Sequence, residues 1–210
     1  MILVRWFSSL VRQTGAGLRL LLVLTVVTGV LYPLAVWGVS RAPGLVGKAE
    51  GSVVRAGGRP VGSALIGVDL TAADPAHDPW FHTRPSASAN DPLGPGDPST
   101  SGGSNLAADN AKLVDLVRKR RAAIADREGV PEAAVPVDAV TASASGVDPD
   151  ISPAYADLQV ARVARVNGLP EQVVRQIVDG HVRGRVLGVL GEPAVNVLDL
   201  NLAVRQAVQH

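Results

Sequence analysis

The small, polar run Thr141-Ala-Ser-Ala-Ser-Gly-Val-Asp-Pro-Asp-Ile-Ser152 holds the residue types most able to do chemistry in this chain. Ser143 or Ser145, with His181 as base and Asp148 as its orienting carboxylate, would make a hydrolytic triad, because a serine hydroxyl attacks only when an imidazole takes its proton. The spacing does not support one. Neither a G-x-S-x-G elbow nor an S-x-x-K pair is present, and a chain this size offers many such trios. Asp148-x-Asp150-x-Ser152 opens like a calcium loop, but Pro153 stands where a glycine must make the turn and Gln159 where a bidentate glutamate closes the shell. His77, His82, His181 and His210 lack the pairing and the carboxylate neighbours of a metal site, so they read as isolated surface or core histidines. No lysine follows a glycine-rich segment as a phosphate-cradling loop requires. The residues therefore predict a domain without catalysis of its own.

The elements that must position this run begin at Leu20–Ser40, 21 residues without a charge, bracketed by Arg19 and Arg41. At about 1.5 Å per residue that is roughly 30 Å, one bilayer core. The run is longer than a signal-peptide core of about 7 to 15 residues, and no clean cleavage site follows, so an uncleaved anchor is expected. Tyr32 and Trp37 fall where an interfacial aromatic belt would lie, and Pro33 should loosen the helix. Thr25, Thr28 and Gly29 are small enough to let a neighbouring helix approach. Flanking arginines and lysines nearly balance across the anchor. We expect a short cytoplasmic N-terminus and the following domain outside the plasma membrane.

The chain has 20 basic and 19 acidic residues and no cysteine. Setting aside Arg5, Arg12 and Arg19 leaves 17 basic residues against 19 acidic ones, a balance that calls for no nucleic acid. Thiol catalysis and a disulfide framework are excluded. The expected organisation is a leader (1–19), a transmembrane helix (20–40), a Gly/Pro-rich connection (41–51) and a single soluble domain (52–210).

Within that domain, residues 52–56 and 60–67 flank a Gly57-Gly58 turn and predict an antiparallel hairpin. From Asp69 to Ser104 six prolines preclude regular structure, yet Trp80 and Phe81 are the anchors of an ordered loop. Helical spacing returns from Asn105 to Glu128, with Leu113, Leu116, Val117, Arg120 and Ile124 on one stripe. The basic run Arg118–Arg121 reads as a solvated face, with Asp115 paired to Lys119. Val135–Val140 is expected as a strand. Ser152-Pro153 should cap a helix reaching Asn167, Pro170 opens another, Val195–Leu198 is extended, and a final amphipathic helix follows. The class is α+β.

Several of these separated blocks together resemble the KdpC family, the C subunits of bacterial Kdp potassium-transporting P-type ATPases. The blocks are Gly62–Gly67; Trp80-Phe81 with Arg84-Pro85-Ser86-Ala87; Ser101-Gly-Gly-Ser104-Asn105; and Thr141–Gly146, including Ser143, Ser145 and Gly146, with Asp148-Pro149 and Ile151-Ser152-Pro153. Gln159 and Arg162, then Gly191-Glu-Pro, Asn196 and Asn201 complete the order. Asp69, where the family commonly has glutamine, and the approach His77–Trp80 depart from it. The resemblance implies a single-pass membrane subunit that works beside a potassium-channel-like subunit and an ATP-hydrolysing P-type subunit, with the matched residues serving packing or partner contact. It also implies a catalytic-chaperone role, in which ATP is met only in a transient complex with the catalytic subunit and no cofactor is stably bound. Arg84 could be braced internally or reach a partner. The alternative from another class is a membrane-tethered serine hydrolase.

Overall fold

A computed structural model describes residues 2–209; His210 lies outside them. The chain forms two compact units, Met1–Ser52 and Val53–His210. In the first, α1 (Ile2–Val26) runs through a π-turn at Val27–Leu31 into α2 (Tyr32–Ser40), and a short α3 (Val46–Ala49) follows. The span Ser9–Ser40 is long and apolar enough to cross a membrane. The expected loosening at Pro33 takes the form of the π-turn. Pro33 has no N–H to give the preceding turn, and the Tyr32 N–H reaches the Val27 carbonyl, five residues back. Thr28 turns its hydroxyl onto its own helix, donating to the Leu24 carbonyl at 2.7 Å. The Arg41 guanidinium lies 5.5 Å from the centre of the Trp37 ring.

The second unit opens with the hairpin β1 (Val53–Ala56) and β2 (Arg59–Ser63), antiparallel about Gly57-Gly58 as expected. The long loop that follows is interrupted only by a 3-10 turn at Pro75–His77. Helix α4 (Ala111–Glu128) starts later than the expected Asn105. Asn105 sits in the left-handed region at φ 52°, and Asn110 caps the helix by accepting the Lys112 N–H, so short polar side chains bind local backbone in place of a first turn.

The expected strand at Val135–Val140 is instead a single helical turn, α5 (Val137–Val140), closed by Thr141 Oγ1 donating to the Val137 carbonyl. Pro136 at φ −66° leads into that turn; so short an apolar run fits either element. A two-residue ladder, Asp150–Ile151 (β3) against Val195–Asn196 (β4), was not foreseen in the polar run. Helix α6 (Pro153–Asn167) is capped by Ser152 as expected, and α7 (Glu171–His181) and α8 (Val197–Val208) complete the domain.

These helices converge because each carries one apolar stripe. Tyr155, Ala156, Val160, Val163 and Ala164 of α6 are buried with Val174 and Val178 of α7, Leu200 and Val204 of α8, and Ile124 of α4. Among the described residues the architecture is helical with two small antiparallel pairs, an α+β domain.

Candidate functional site

The matched polar residues gather on the extended segment Asp78–Ser86. Phe81 drives it into the core, fully buried, and Asp78, His82, Pro85 and Ser86 are buried beside it. A buried strand outside a sheet must find partners for its backbone, since an unmade buried hydrogen bond costs about 1–3 kcal/mol. Here the side chains of α6 and α8 supply them. Asn201 accepts the Phe81 N–H at 2.8 Å and donates to the Phe81 carbonyl at 3.0 Å. Gln159 does the same for His82, at 2.8 and 3.3 Å. Arg162 donates to the carbonyls of Asp78 (2.8 Å) and Trp80 (2.9 Å), and Asn167 to that of Pro79 (2.9 Å). Three amides and a guanidinium thus take the place of a neighbouring strand.

Arg162 is itself held by Glu128, whose carboxylate lies 3.0 Å from Nε and whose side chain has no exposed surface. Arg127 reaches the other Glu128 oxygen at 2.7 Å and donates to the Tyr155 hydroxyl at 3.0 Å. Burial pushes the Tyr155 phenol up despite Arg127, and the Arg127 guanidinium, which burial alone would weaken as an acid-binding base, is held more firmly protonated by Tyr155 and Glu128. A glutamate in the last turn of a helix opposes the helix dipole. That misplacement was the sequence signal for a specific partner, and it was missed.

His82 was also missed as a paired residue. Its Nε2 lies 2.6 Å from Asp78 and its Nδ1 2.9 Å from Asp69, which also accepts the Thr83 N–H. Asp69 thus fixes the turn after Phe81. Burial raises the Asp78 carboxyl, but the hydrogen bond and charge of His82, the Trp80 N–H and Arg162 together hold it below the usual carboxylate range. No group of three or more potential metal ligands occurs among the described residues.

The small-residue run lies against the other end of the segment. The Ser143 N–H donates to the Pro85 carbonyl at 2.9 Å. Ser143 Oγ is buried and accepts the N–H groups of Gly146 (2.9 Å) and Asp148 (3.3 Å), with Ser145 Oγ at 3.1 Å. Arg84 donates to the Ala142 carbonyl at 3.1 Å and stands 3.4 Å from Asp148, while its buried Nε has no partner among the described residues. The Gly67 N–H donates to the Val147 carbonyl, and the chains meet so closely that a Cβ on Gly67 would fall 2.3 Å from the Asp148 carbonyl oxygen. Ser86 Oγ accepts from Ser88, and Gly102 N–H donates to the Ser145 carbonyl at 2.7 Å. The Pro149 carbonyl accepts from Val197, and Asn196 ties Ala64 and Asp150 to the start of α8. Ser152 spends its hydroxyl on capping α6. Ser104 and Asn105 are exposed and lie outside this bracing.

The triad weighed from sequence is not assembled. Among the described residues no histidine hydrogen-bonds Ser143 or Ser145, and His181 Nδ1 is taken by the Ile177 carbonyl at 2.7 Å. Trp80 is half-buried, with the Arg205 guanidinium 6.0 Å from its ring centre.

Fold and site together define a class: one N-terminal helix long and apolar enough to cross a membrane, followed by a self-braced α+β domain whose polar motifs knit loops to helices. The family model described as "KdpC: K+-transporting ATPase, c chain" matches residues 14–206. Curated proteins called potassium-transporting ATPase KdpC subunit are similar over nearly their whole length. That of Kineococcus radiotolerans is 49% identical over 95% of this chain and 96% of its own. That of Streptomyces coelicolor is 48% identical over 96% and 95%, and that of Polaromonas naphthalenivorans 51% identical over 90% and 91%. The chain belongs to the KdpC family, subunits of the potassium-transporting Kdp ATPase complex.

Proposed function

We propose that this chain is an accessory subunit without catalysis of its own, which holds a rigid domain outside the plasma membrane against the channel-like subunit of the pump and there aids assembly and potassium access. The observation that carries this reading is the use of the motif side chains. Gln159, Arg162 and Asn201 spend their hydrogen bonds on the backbone of Asp78–His82, and Ser143 spends its hydroxyl on its own loop. Chemistry committed to bracing favours a docking body over an active site. We assign no bound cofactor to the chain and place any contact with ATP in the complex with the catalytic subunit.

The test is purification of the full-length chain from membranes together with Ser145→Ala. Co-purification of two larger subunits whose ATPase depends on potassium, unchanged in S145A, is the expected result. Recovery of the chain alone with an esterase activity that S145A or S143A abolishes would establish the hydrolase instead. Cleavage of the domain by protease added to intact cells is expected, and protection would overturn the outside placement.

A further inference from the structure

A second extended segment, Ile66–Leu70, has the opposite character. Its burial alternates: Gly67, packed against the Asp148 backbone, and Asp69 lie inward, whereas Ile66, Val68 and Leu70 are 41%, 48% and 36% exposed. This is the period of a β-strand with its apolar face turned outward. Among the described residues the backbone N–H groups of Val68 and Leu70 have no hydrogen-bond partner. The three aliphatic side chains line a cavity of about 270 Å³ together with Trp80 and with Leu198 and Leu202 of α8. Gly62 lets Leu198 come this close, since a Cβ there would stand 2.9 Å from its methyl. Arg205 completes the lining, is exposed, and pairs with no carboxylate among the described residues.

We infer that this groove binds an extended polypeptide segment of a neighbouring pump subunit by strand addition. That segment would carry apolar side chains at alternate positions and a carboxylate that meets Arg205. Main-chain donors left open beside an apolar row call for a partner with main-chain acceptors of its own, which a polypeptide has and an acyl chain lacks. The single unpaired guanidinium over an aromatic ring selects an acidic residue in that partner. The alternating pockets set its register. This site rests on the subunit reading above.

A photoreactive benzophenone amino acid placed at Val68 in the full-length chain, in membranes containing the whole pump, tests it. Val137 on α5, which is 73% exposed, is the control position. A protein crosslink to a pump subunit is expected from position 68 and not from 137. Arg205→Glu should lower its yield about tenfold, the worth of one charge-assisted contact, and R205K should retain it. Equal unfolding midpoints of the variants confirm that the fold is intact. Crosslinks only to lipid, none at all, or a yield indifferent to R205E, with the chain still co-purifying with the pump, would overturn the groove and leave the subunit reading standing. A sharp, Arg205-dependent crosslink to a protein in a chain that does not co-purify with a potassium-dependent ATPase would keep the groove and overturn that reading.

Discussion

Asp78–Ser86 and Ile66–Leu70 are both extended stretches outside the two ladders, the second touching β2 only through a bridge from Ile66 to Ser63, and they solve the same problem in opposite ways. The first turns Phe81 into the core and has its backbone satisfied by Asn201, Gln159 and Arg162. The second turns its apolar row outward and leaves main-chain donors open. A strand that brings its own partners is finished within the chain. One that leaves them open is finished by another molecule, and the two are joined through Asp69, which faces inward to His82 while Val68 and Leu70 face out.

Removing a brace should break this contrast most severely. Arg162→Ala strips the carbonyls of Asp78 and Trp80 of their donor and leaves the Glu128 carboxylate, with no exposed surface, facing only Arg127. Deleting one partner of a buried ion pair costs about 3–5 kcal/mol, against a total domain stability of about 5–15 kcal/mol. Urea unfolding should show that loss, and amide exchange at Phe81 and His82, whose N–H groups keep Asn201 and Gln159 as acceptors, should accelerate in proportion to it. R162K should recover only part, because one ammonium cannot reach the acceptors of Nε and both terminal nitrogens at once. A loss under about 1 kcal/mol would mean that the segment does not depend on its brace.

A smaller effect is expected at the head of the first segment. The Asp78 carboxyl is held below the usual range, so its ionised form is favoured by folding. The stability it adds is present above the unfolded value of about 3.9 and is lost as pH falls through the folded value. The domain should therefore weaken below about pH 4, and Asp78→Asn should flatten that acid limb in midpoints measured from pH 3 to 7. An unchanged slope would show that His82 and Arg162 do not hold the carboxylate.

Much of this was legible beforehand, for reasons particular residues make plain. The long apolar helix, the Gly57-Gly58 hairpin and the Ser152-Pro153 helix start all follow from local signals, which act within a few residues and need no knowledge of the fold. The stripe ending in Arg120 and Ile124 placed α4 in the right register, but not its start; Val135–Val140, a run too short to show a period, is a helical turn, and the extended stretch expected over Val195–Leu198 ends at Asn196, where α8 begins. The site was legible as a set of motif residues but not as a mechanism. Gln159 and Asn201 lie 77 and 120 residues from the backbone groups they bond, and nothing in a sequence orders two amides onto adjacent peptides. His82 read as an isolated histidine because one of its carboxylates is 13 residues away.

The gentlest substitution sharpens the comparison best. Val68→Thr keeps the β-branched shape and places a hydroxyl where the surface is already half exposed. Surface changes of this kind usually alter stability by no more than about 0.5 kcal/mol, so the urea midpoint should not move. Binding in the groove should still suffer, because a hydroxyl buried against a partner's apolar side chain without an acceptor costs about 1–3 kcal/mol. The measurement is the fraction of pump retaining this subunit on dilution in detergent, which should fall about tenfold or more. Retention equal to that of the unsubstituted chain would put Ile66–Leu70 in the same category as Asp78–Ser86, a strand completed within its own domain.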